Sequence, residues 1–191
     1  MTEIKIAIAY HSGYGHTAKL AEAIAAGVGS VANITATLIK VDLIDDAGWD
    51  ILDNSNAIIF GAPTYMGGVS AQFKTFADAS SKKWFQGKWK DKIAAGFTNS
   101  GSYSGDKLSS LQYLVTLAMQ QGMIWVGQGE MPINNKGIVP PTPDDINRIG
   151  SWLGLMAQSN NDSPDIQPPK GDIETAKIFG KRVATITAKF I

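Results

Sequence analysis

The chain contains no cysteine and only two histidines among its 191 residues. The lack of cysteine excludes disulfides, thiol catalysis and iron–sulfur clusters, and two histidines offer little for a zinc site. Seventeen basic and seventeen acidic residues cancel, so the charge does not favour nucleic acid or an anionic membrane as a partner. No apolar run reaches the length of a bilayer span, and no signal peptide precedes the first predicted strand. We therefore expect a cytoplasmic protein without membrane insertion and without a bound metal.

The hydrophobic content is sufficient for one large core. Apolar residues make up 44% of the chain, which is ordinary for a globular protein of this length. The sequence shows no repeat, no low-complexity tract and no composition shift that would mark a boundary. Residues 1–191 are therefore predicted to form a single domain.

The opening segment predicts a strand, a tight glycine loop and a helix. An apolar run covers Ile6–Tyr10, and Leu20 and Ile24 begin a helical spacing of apolar residues. Between them lies the loop His11-Ser12-Gly13-Tyr14-Gly15-His16-Thr17. A helix that begins this way presents backbone amides and the positive end of its dipole, which suits a phosphate. Because this loop has no Lys or Arg, backbone amides and hydroxyls are expected to hold the phosphate.

Two other phosphate-binding motifs can be compared with this loop. A P-loop is excluded, because the GKS/T ending and its lysine are absent. A dinucleotide fingerprint stays open, since Gly13, Gly15 and Ala18 match G-x-G-x-x-A after a strand and Asp42 follows the next predicted strand. A turn that only joins strand to helix is the remaining alternative.

Apolar runs alternate with helical patterns along most of the chain. Beyond the first strand, the patterns predict strands over 34–41, 57–60, 93–97 and 123–126. Helices are predicted over 69–81, 108–118, 146–156 and 172–189, with a short helix or irregular connection over 45–54. Long loops are predicted from Gly127 to Pro143 and over 158–170. Strands that alternate with helices predict an α/β fold with a parallel sheet and right-handed crossovers.

Three of the predicted loops are rich in glycine and follow strands one, three and four. The second covers 61–68 and the third covers 98–105. Because parallel strands end at one edge of a sheet, these loops are expected to converge where open α/β proteins bind ligands. Their hydroxyls and aromatic rings indicate one extended ligand with a phosphate at one end and a planar group at the other. The alternative is that Gly and Ser only form turns there.

These segments resemble the flavodoxin-like superfamily, and within it the NADPH-dependent FMN reductases and the WrbA-like NAD(P)H:quinone oxidoreductases. The resemblance is carried by YHSGYGHTAKLAEAIAAG, IIFGAPTYMGGVSAQFKTFAD, Trp84 and the loop from Asn99 to Gly105. It implies a flavodoxin-like, doubly wound fold of three α/β/α layers. The sheet is then expected to have five parallel strands in the order 2-1-3-4-5.

The resemblance also implies FMN as cofactor and NAD(P)H as electron donor. The phosphate is expected on the first loop, the flavin ring beside the second, and the pyrimidine side of the ring against the third. The implied cofactor-binding residues are Ser12, Gly13, Tyr14, Gly15, His16, Thr17, Pro63, Thr64, Tyr65, Met66, Gly67, Asn99, Ser100, Gly101, Ser102, Tyr103 and Gly105. Glycines let the backbone approach a flat ring closely.

The substrate side is expected to differ from that of the family. Tyr65 stands in place of the family's arginine in the second loop, and Gln121 in place of its histidine at the end of the fourth helix. A long segment over 133–159 replaces a short Gly-Thr-Pro-Tyr-Gly-Ala stretch. Candidates for the substrate face are Tyr65, Trp84, Tyr103 and Gln121. By the same resemblance, a homodimer or homotetramer is expected, with Trp84 near a neighbour's flavin.

The resemblance favours an enzyme that passes two electrons from NAD(P)H through FMN to a quinone or similar acceptor. The alternative is a flavodoxin-type electron carrier without a small-molecule substrate. Such carriers are usually strongly acidic because they dock on basic reductases, whereas the charge here is balanced. A nicotinamide-binding Rossmann domain would explain the first loop but not the segment PTYMGG.

Overall fold

The computed structural model describes residues 3–132 and 140–191. The described strands are β1 (Ile4–Tyr10), β2 (Ile34–Lys40), β3 (Ala57–Tyr65), β4 (Gly68–Val69), β5 (Ile93–Ser100), β6 (Ile124–Trp125) and β7 (Leu155–Gln158). The described helices are α1 (His16–Gly29), α2 (Asp46–Asn54), α3 (Ala71–Ala79), α4 (Ser81–Phe85), α5 (Lys107–Gln120) and α6 (Lys170–Thr187), with a 3-10 turn over Val41–Leu43. The loop predicted from Gly127 to Pro143 lies partly outside the described residues. None of the helices in those ranges is both long and apolar enough to cross a bilayer.

The parallel sheet has the strand order β2-β1-β3-β5-β6. Because β5 and β6 are the fourth and fifth predicted strands, the expected order 2-1-3-4-5 is confirmed. Ile8 in β1 lies between Leu38 of β2 and Ile59 of β3, and Ile59 in turn pairs with Ala95 of β5. The continuous apolar runs of β1 and β3 arise because both faces of these central strands are covered.

Helices cover both faces of the sheet and make the three layers that were predicted. On one face, Ile6 and Ile8 pack in a core with residues of α1 and α6, among them Leu20 and Phe179. On the other face, alternate strand residues pack against α2, α3 and α5. That second core contains Ala7, Ala9, Ile58, Phe60, Leu52, Phe73, Phe76, Leu111 and Leu114. Successive side chains of β1 therefore point to opposite faces of the sheet and pack in two separate cores.

The second helix is a real helix rather than an irregular connection. The Asp45 side chain accepts a hydrogen bond of 2.8 Å from the Gly48 amide and so caps the first turn of α2. The helix predicted over 69–81 is shorter than expected, because Val69 lies in β4 and a second short helix, α4, begins at Ser81.

The predicted loop over 61–68 is largely strand. β3 continues to Tyr65 and turns back antiparallel, so that Thr64 pairs with Val69 and Tyr65 with Gly68. Only Met66 and Gly67 form the turn, and both have positive φ, at 47° and 81°. Two left-handed residues are what a tight two-residue hairpin of right-handed twist requires.

The fifth strand position is shared by two segments. β6 pairs with the start of β5, at Ile93 and Ala94, whereas β7 pairs with its end, from Phe97 to Ser100. The helix predicted over 146–156 is therefore wrong, since its last two residues belong to β7 and its first part is a series of turns.

Asn147 explains why the helical spacing in this segment does not produce a helix. Its φ is 45°, and its side chain donates to the carbonyls of Glu130 and Ser151 while accepting from the Ser151 amide. Gly150 is also left-handed, with φ 77°. A right-handed helix cannot pass through either conformation, so the local bonds of the asparagine override the apolar spacing.

Helices α1 and α6 approach each other closely through glycines. A Cβ on Gly27 of α1 would lie 2.0 Å from the Lys177 carbonyl oxygen, and one on Gly180 of α6 would lie 2.2 Å from the Ile24 carbonyl oxygen. Each contact is to backbone, which cannot rotate away. The absence of a side chain at both positions therefore sets the distance between the two helices.

We predict that Gly27→Ala lowers the free energy of unfolding by about 1–3 kcal/mol, because the helices must separate to admit the methyl group. Gly29→Ala is the matched control on the same helix, since a Cβ there would meet nothing within 4 Å. The control should leave stability unchanged or raise it by up to about 1 kcal/mol through helix propensity. Urea denaturation of both variants makes the comparison, and equal effects would contradict the close contact.

Candidate functional site

A turn that contains Gly15 connects β1 to the start of α1. Gly15 has φ 91°, a left-handed conformation that suits glycine, and it provides no side-chain cap. The Ser12 hydroxyl oxygen accepts a hydrogen bond of 3.1 Å from the Ala18 amide, which holds the loop over the first turn. Thr17 is buried inside this turn. The backbone amides of the first turn thus lie at the end of the helix that attracts anions.

Tyr65 at the end of β3 reaches back to this first loop. The Gly13 amide hydrogen-bonds to the Tyr65 hydroxyl, and the rings of Tyr14 and Tyr65 meet edge to face with centroids 6.2 Å apart. Burial raises the pKa of Tyr65, and Tyr14 adds to this rise while the Gly13 amide opposes it. The phenol is therefore neutral at physiological pH and remains a hydrogen-bond donor.

A buried group of hydroxyls fixes β3 relative to its neighbours. The Thr64 hydroxyl lies 2.8 Å from that of Thr98 in β5 and 2.7 Å from that of Ser110 in α5. All three residues are buried. These bonds join two strands and a helix directly below the point where the hairpin and the third loop leave the sheet, so the two loops are held at a fixed separation.

The third loop leaves β5 at Asn99 and Ser100 and ends at the start of α5. Gly105 and Asp106 have φ values of 52° and 53°. A Cβ on Gly105 would lie 2.0 Å from the Ser100 hydroxyl oxygen, so this position admits only glycine without rearrangement. The loop therefore folds back tightly on the strand from which it came.

A fourth loop, after β7, completes the edge of the sheet. The Ser159 hydroxyl donates to the Asn99 side-chain oxygen at 2.9 Å, and His16 Nε2 donates to the Asp162 carbonyl oxygen at 2.8 Å. Pro164 packs against Gly15, where a Cβ would come within 2.8 Å of the proline ring. The loop thus reaches from the third loop across to the start of α1.

These loops enclose a cavity of about 470 Å³ at the carboxyl edge of the sheet. This volume lies within the usual range for small-molecule sites. Its lining residues are Tyr14, His16, Thr17, Pro63, Thr64, Tyr65, Asn99, Ser100, Gly101, Ser159, Asn161 and Asp162. Among the described lining residues there is no Lys or Arg, and Asp162 is the acidic residue in the lining. The predicted binding of a phosphate by the amides and hydroxyls of the first loop stays a prediction.

Nine of the predicted cofactor residues line this cavity. The others belong to the same loops but lie at its margins or support it, namely Ser12, Gly13, Gly15, Met66, Gly67, Ser102, Tyr103 and Gly105. Met66 is fully exposed at the tip of the hairpin, and Tyr103 is 56% exposed beside the third loop. The structure therefore brings all three predicted loops together around one space.

Gln121, predicted as a substrate-face residue, does not line the cavity of its own chain. It follows the end of α5, at the edge where the strands begin, and its side-chain amide donates to the Ser80 hydroxyl at 2.9 Å. The residue is buried. Helices of a parallel α/β sheet run opposite to the strands, so the end of α5 cannot reach the carboxyl edge.

Trp84 also lies away from the cavity of its own chain. It is in α4, which follows α3 after that helix has run back from the cavity edge, and it is 49% exposed. Its predicted place beside a neighbour's flavin concerns a second subunit and remains a proposal.

His11 does not belong to the phosphate loop in space, although it precedes Ser12 in sequence. It is buried, and its Nδ1 lies 2.8 Å from the Ser70 hydroxyl before α3. Burial lowers the pKa of His11, and the carboxylate of Asp42 opposes this change. The residue joins β1 to the start of α3 rather than facing the cavity.

Sequence reasoning missed the fourth loop and the side chains behind the third. Ser159, Asn161 and Asp162 line the cavity, and Lys107 binds the third loop from inside. The available signal was the run LMAQ before Ser159. If this run is interpreted as a parallel strand, the loop after it lies at the same carboxyl edge of the sheet as the other three. Lys107 gave no sequence signal, because a lysine in a polar loop is normally exposed.

The arrangement fits the expected flavin mononucleotide. The start of α1 suits a phosphate, whereas the walls at Tyr65 and Pro63 suit a flat ring, and backbone groups of Gly101 are close by. In the described ranges, no three His, Asp or Glu side chains gather in a way that could hold a metal ion.

Comparisons with known proteins agree with this geometry. The family described as NADPH-dependent FMN reductase matches residues 49–137. The flavodoxin FldP of Pseudomonas aeruginosa is 46% identical over 185 residues, with 95% of this chain and 96% of that protein covered. An NAD(P)H dehydrogenase (quinone) of Geotalea uraniireducens is 30% identical, with 97% and 98% covered.

A solved structure shows the same fold. The flavodoxin, WrbA-like protein from Agrobacterium tumefaciens superposes with a TM-score of 0.76 at 44% sequence identity, covering 97% of this chain and 98% of that one. The match extends over nearly the whole length of both proteins. The chain therefore belongs to the WrbA-like group of the flavodoxin-like family.

Proposed function

We propose that this chain is an FMN-dependent oxidoreductase that takes electrons from NAD(P)H and delivers them to a quinone-like acceptor. The observation that carries the proposal is the cavity that joins the start of α1 to the partly exposed Tyr65 of the hairpin. When bound, FMN supplies the chemistry by accepting electrons from one partner and releasing them to another. A cytoplasmic location is part of the proposal, because NAD(P)H is a cytoplasmic electron donor.

The phosphate end depends on the first loop. The Ser12 oxygen already accepts from the Ala18 amide, so its hydroxyl hydrogen is free to donate to a phosphate oxygen. Thr17 lines the cavity with a second hydroxyl. His16 is held by the Asp162 carbonyl and closes this end against the fourth loop.

The ring end depends on flat walls and backbone donors. Tyr65, 38% exposed, gives an aromatic wall whose position is fixed by the Gly13 amide. On the other side, Ser100 and Gly101 bring the backbone of the third loop to the cavity. Amides at such positions bind the polar edge of a planar heterocycle and tune its affinity for electrons.

The substrate face lies between the hairpin and the third loop. Tyr65 and Tyr103 are both partly exposed, and Met66 is fully exposed. A nicotinamide or quinone ring is flat and carries polar carbonyl groups at its edge, so its faces can stack in the space bordered by these side chains. The neutral Tyr65 phenol can donate a hydrogen bond to such a ring.

A flavodoxin-type electron carrier is the second candidate. It is favoured by the 46% identity to a protein named as a flavodoxin. Against it stands the balanced charge of the chain, with seventeen basic and seventeen acidic residues, because carriers usually present an acidic surface to their reductases.

We predict that Thr17→Ala and Ser12→Ala each weaken FMN binding about tenfold or more, since a hydroxyl bond to a charged group contributes about 1.5–3 kcal/mol. Quenching of flavin fluorescence gives the dissociation constants. Thr116→Ala on α5 is the control, because this exposed hydroxyl donates to the Gln112 carbonyl of its own helix. Unchanged affinity in both loop variants would remove the phosphate from this site.

Anaerobic mixing of the FMN-loaded protein with NADH or NADPH separates enzyme from carrier. An enzyme should lose its yellow flavin absorbance within seconds and regain it when benzoquinone is added. Because donor and acceptor then use the same face in turn, steady-state kinetics should be ping-pong. Absence of bleaching with either nucleotide, combined with ready reduction by a flavoprotein reductase, would favour the carrier.

Assembly into a homodimer or homotetramer is also proposed, with Trp84 near the flavin of another subunit. Trp84 and Phe85 are adjacent, and 49% and 85% of their respective surfaces are exposed. Two large rings side by side on the surface are a common feature of protein contacts. We expect Trp84→Ala to shift the protein toward monomer in light scattering, and a wild-type monomer with FMN bound would refute the assembly.

A further inference from the structure

A fully buried lysine holds the third loop of the site. Lys107 is the first residue of α5 and has no exposed surface. Its ammonium group donates to the Ser100 hydroxyl at 2.9 Å, the Ser102 carbonyl at 2.6 Å and the Tyr103 carbonyl at 2.8 Å. All three of its donors are therefore used on one short loop, whose residues Ser100 and Gly101 line the cavity.

The loop is held from a second side by a buried ion pair. Arg148 binds the Asp172 carboxylate through two bonds of 2.8 and 2.9 Å, and both side chains are 2% exposed. Arg148 also donates to the carbonyl and side-chain oxygens of Gln158. The side-chain Nε2 of Gln158 in turn donates to the Gly101 carbonyl at 2.9 Å. The Arg148 guanidinium lies 5.1 Å from the centre of the Tyr103 ring.

The charges in this cluster do not balance. Lys107 and Arg148 each carry one positive charge, and Asp172 is the carboxylate that interacts with both. Burial lowers the pKa of Lys107 to about 8, with Asp172 raising it and Arg148 lowering it further, so the lysine is still mostly charged at pH 7. One positive charge is thus in excess behind the wall formed by Ser100 and Gly101. In a protein interior such a charge acts over several ångströms with little screening.

We propose that Lys107 is a positioning residue that fixes the 100–105 loop against the cavity and, with Arg148 and Asp172, places one uncompensated positive charge behind it. The inference rests on the proposed function, since FMN is the ligand that gains negative charge when it is reduced. A positive charge at this position stabilises the reduced form more than the oxidised form. The chain should therefore bind reduced FMN at least as tightly as oxidised FMN.

The test measures the dissociation constants of oxidised and reduced FMN for the wild type and three variants. The ratio compared is the dissociation constant of reduced FMN divided by that of oxidised FMN. Lys107→Met should raise this ratio about tenfold, which for a two-electron couple lowers the midpoint potential of the bound flavin by about 30 mV. Asp172→Asn removes the negative charge and should lower the same ratio several-fold. Shifts of opposite sign are the signature of charge, because a purely structural loss would not reverse between the two variants.

Lys92→Met is the matched control. Lys92 is a half-buried lysine whose pKa is also lowered to about 8 by burial, and its ammonium donates to the carbonyls of Leu52 and Asp53. It precedes β5 and so lies at the opposite edge of the sheet. Its replacement should change the ratio by less than twofold.

A measurement without FMN separates the loop from the cofactor. In the flavin-free protein, Lys107→Met should speed chymotrypsin cleavage after Tyr103 several-fold over wild type, because the loop loses three bonds. If the wild-type protein does not bind FMN, both the proposed function and the proposed effect of charge on FMN are wrong. The cleavage rate still tests whether Lys107 holds the loop.

Several outcomes would overturn the inference while FMN binding stands. The first is that the wild type binds reduced FMN more weakly than oxidised FMN. The second is that Lys107→Met and Asp172→Asn shift the ratio of dissociation constants in the same direction. The third is that Lys92→Met shifts this ratio as much as Lys107→Met does. Should Lys107→Met not fold, the wild-type ratio and Asp172→Asn decide the question.

Discussion

The parallel pairing of β1, β3 and β5 is the constraint on which the rest of the structure depends. It brings three loops that are far apart in sequence to one edge of the sheet, and the paired strands leave the loops little freedom to drift apart. The buried hydroxyls of Thr64, Thr98 and Ser110 then fix the spacing between the hairpin and the third loop. The site is built from loops, but their positions are set by the sheet.

Sequence patterns predicted the parts of this fold that depend on local apolar spacing. The runs at Ile6–Tyr10 and Ala57–Phe60 gave the central strands, because a strand covered on both faces must be apolar throughout. The glycine-rich loops were found because turns need glycine at particular backbone angles. What failed was the segment after Gly127, where Asn147 adopts a left-handed angle through bonds to residues on either side of it. Contacts of this kind leave no periodic trace in a sequence.

The interrupted fifth strand shows how one insertion serves two purposes. β6 and β7 occupy the two ends of the same position beside β5, so the sheet keeps its width while the chain between them leaves and returns. The returning part brings Arg148 to Asp172 and Gln158 to the third loop. Removal of one partner from such a buried pair leaves an uncompensated charge in the interior, which is strongly destabilising. The segment between β6 and β7 thereby supports the third loop, a contact that its sequence did not predict.

The close contact between α1 and α6 has a consequence for how the protein is made. The helix that presents the phosphate end of the site rests on Gly180 and Phe179, more than a hundred residues further along the chain. During synthesis the early strands and helices emerge first, and α1 can pack on the strands beside it, but its outer face stays uncovered until α6 has left the ribosome. The support beneath the phosphate end of the site is therefore complete only after the residues of α6 have been made, although the loop that forms this end is among the first segments of the chain to emerge.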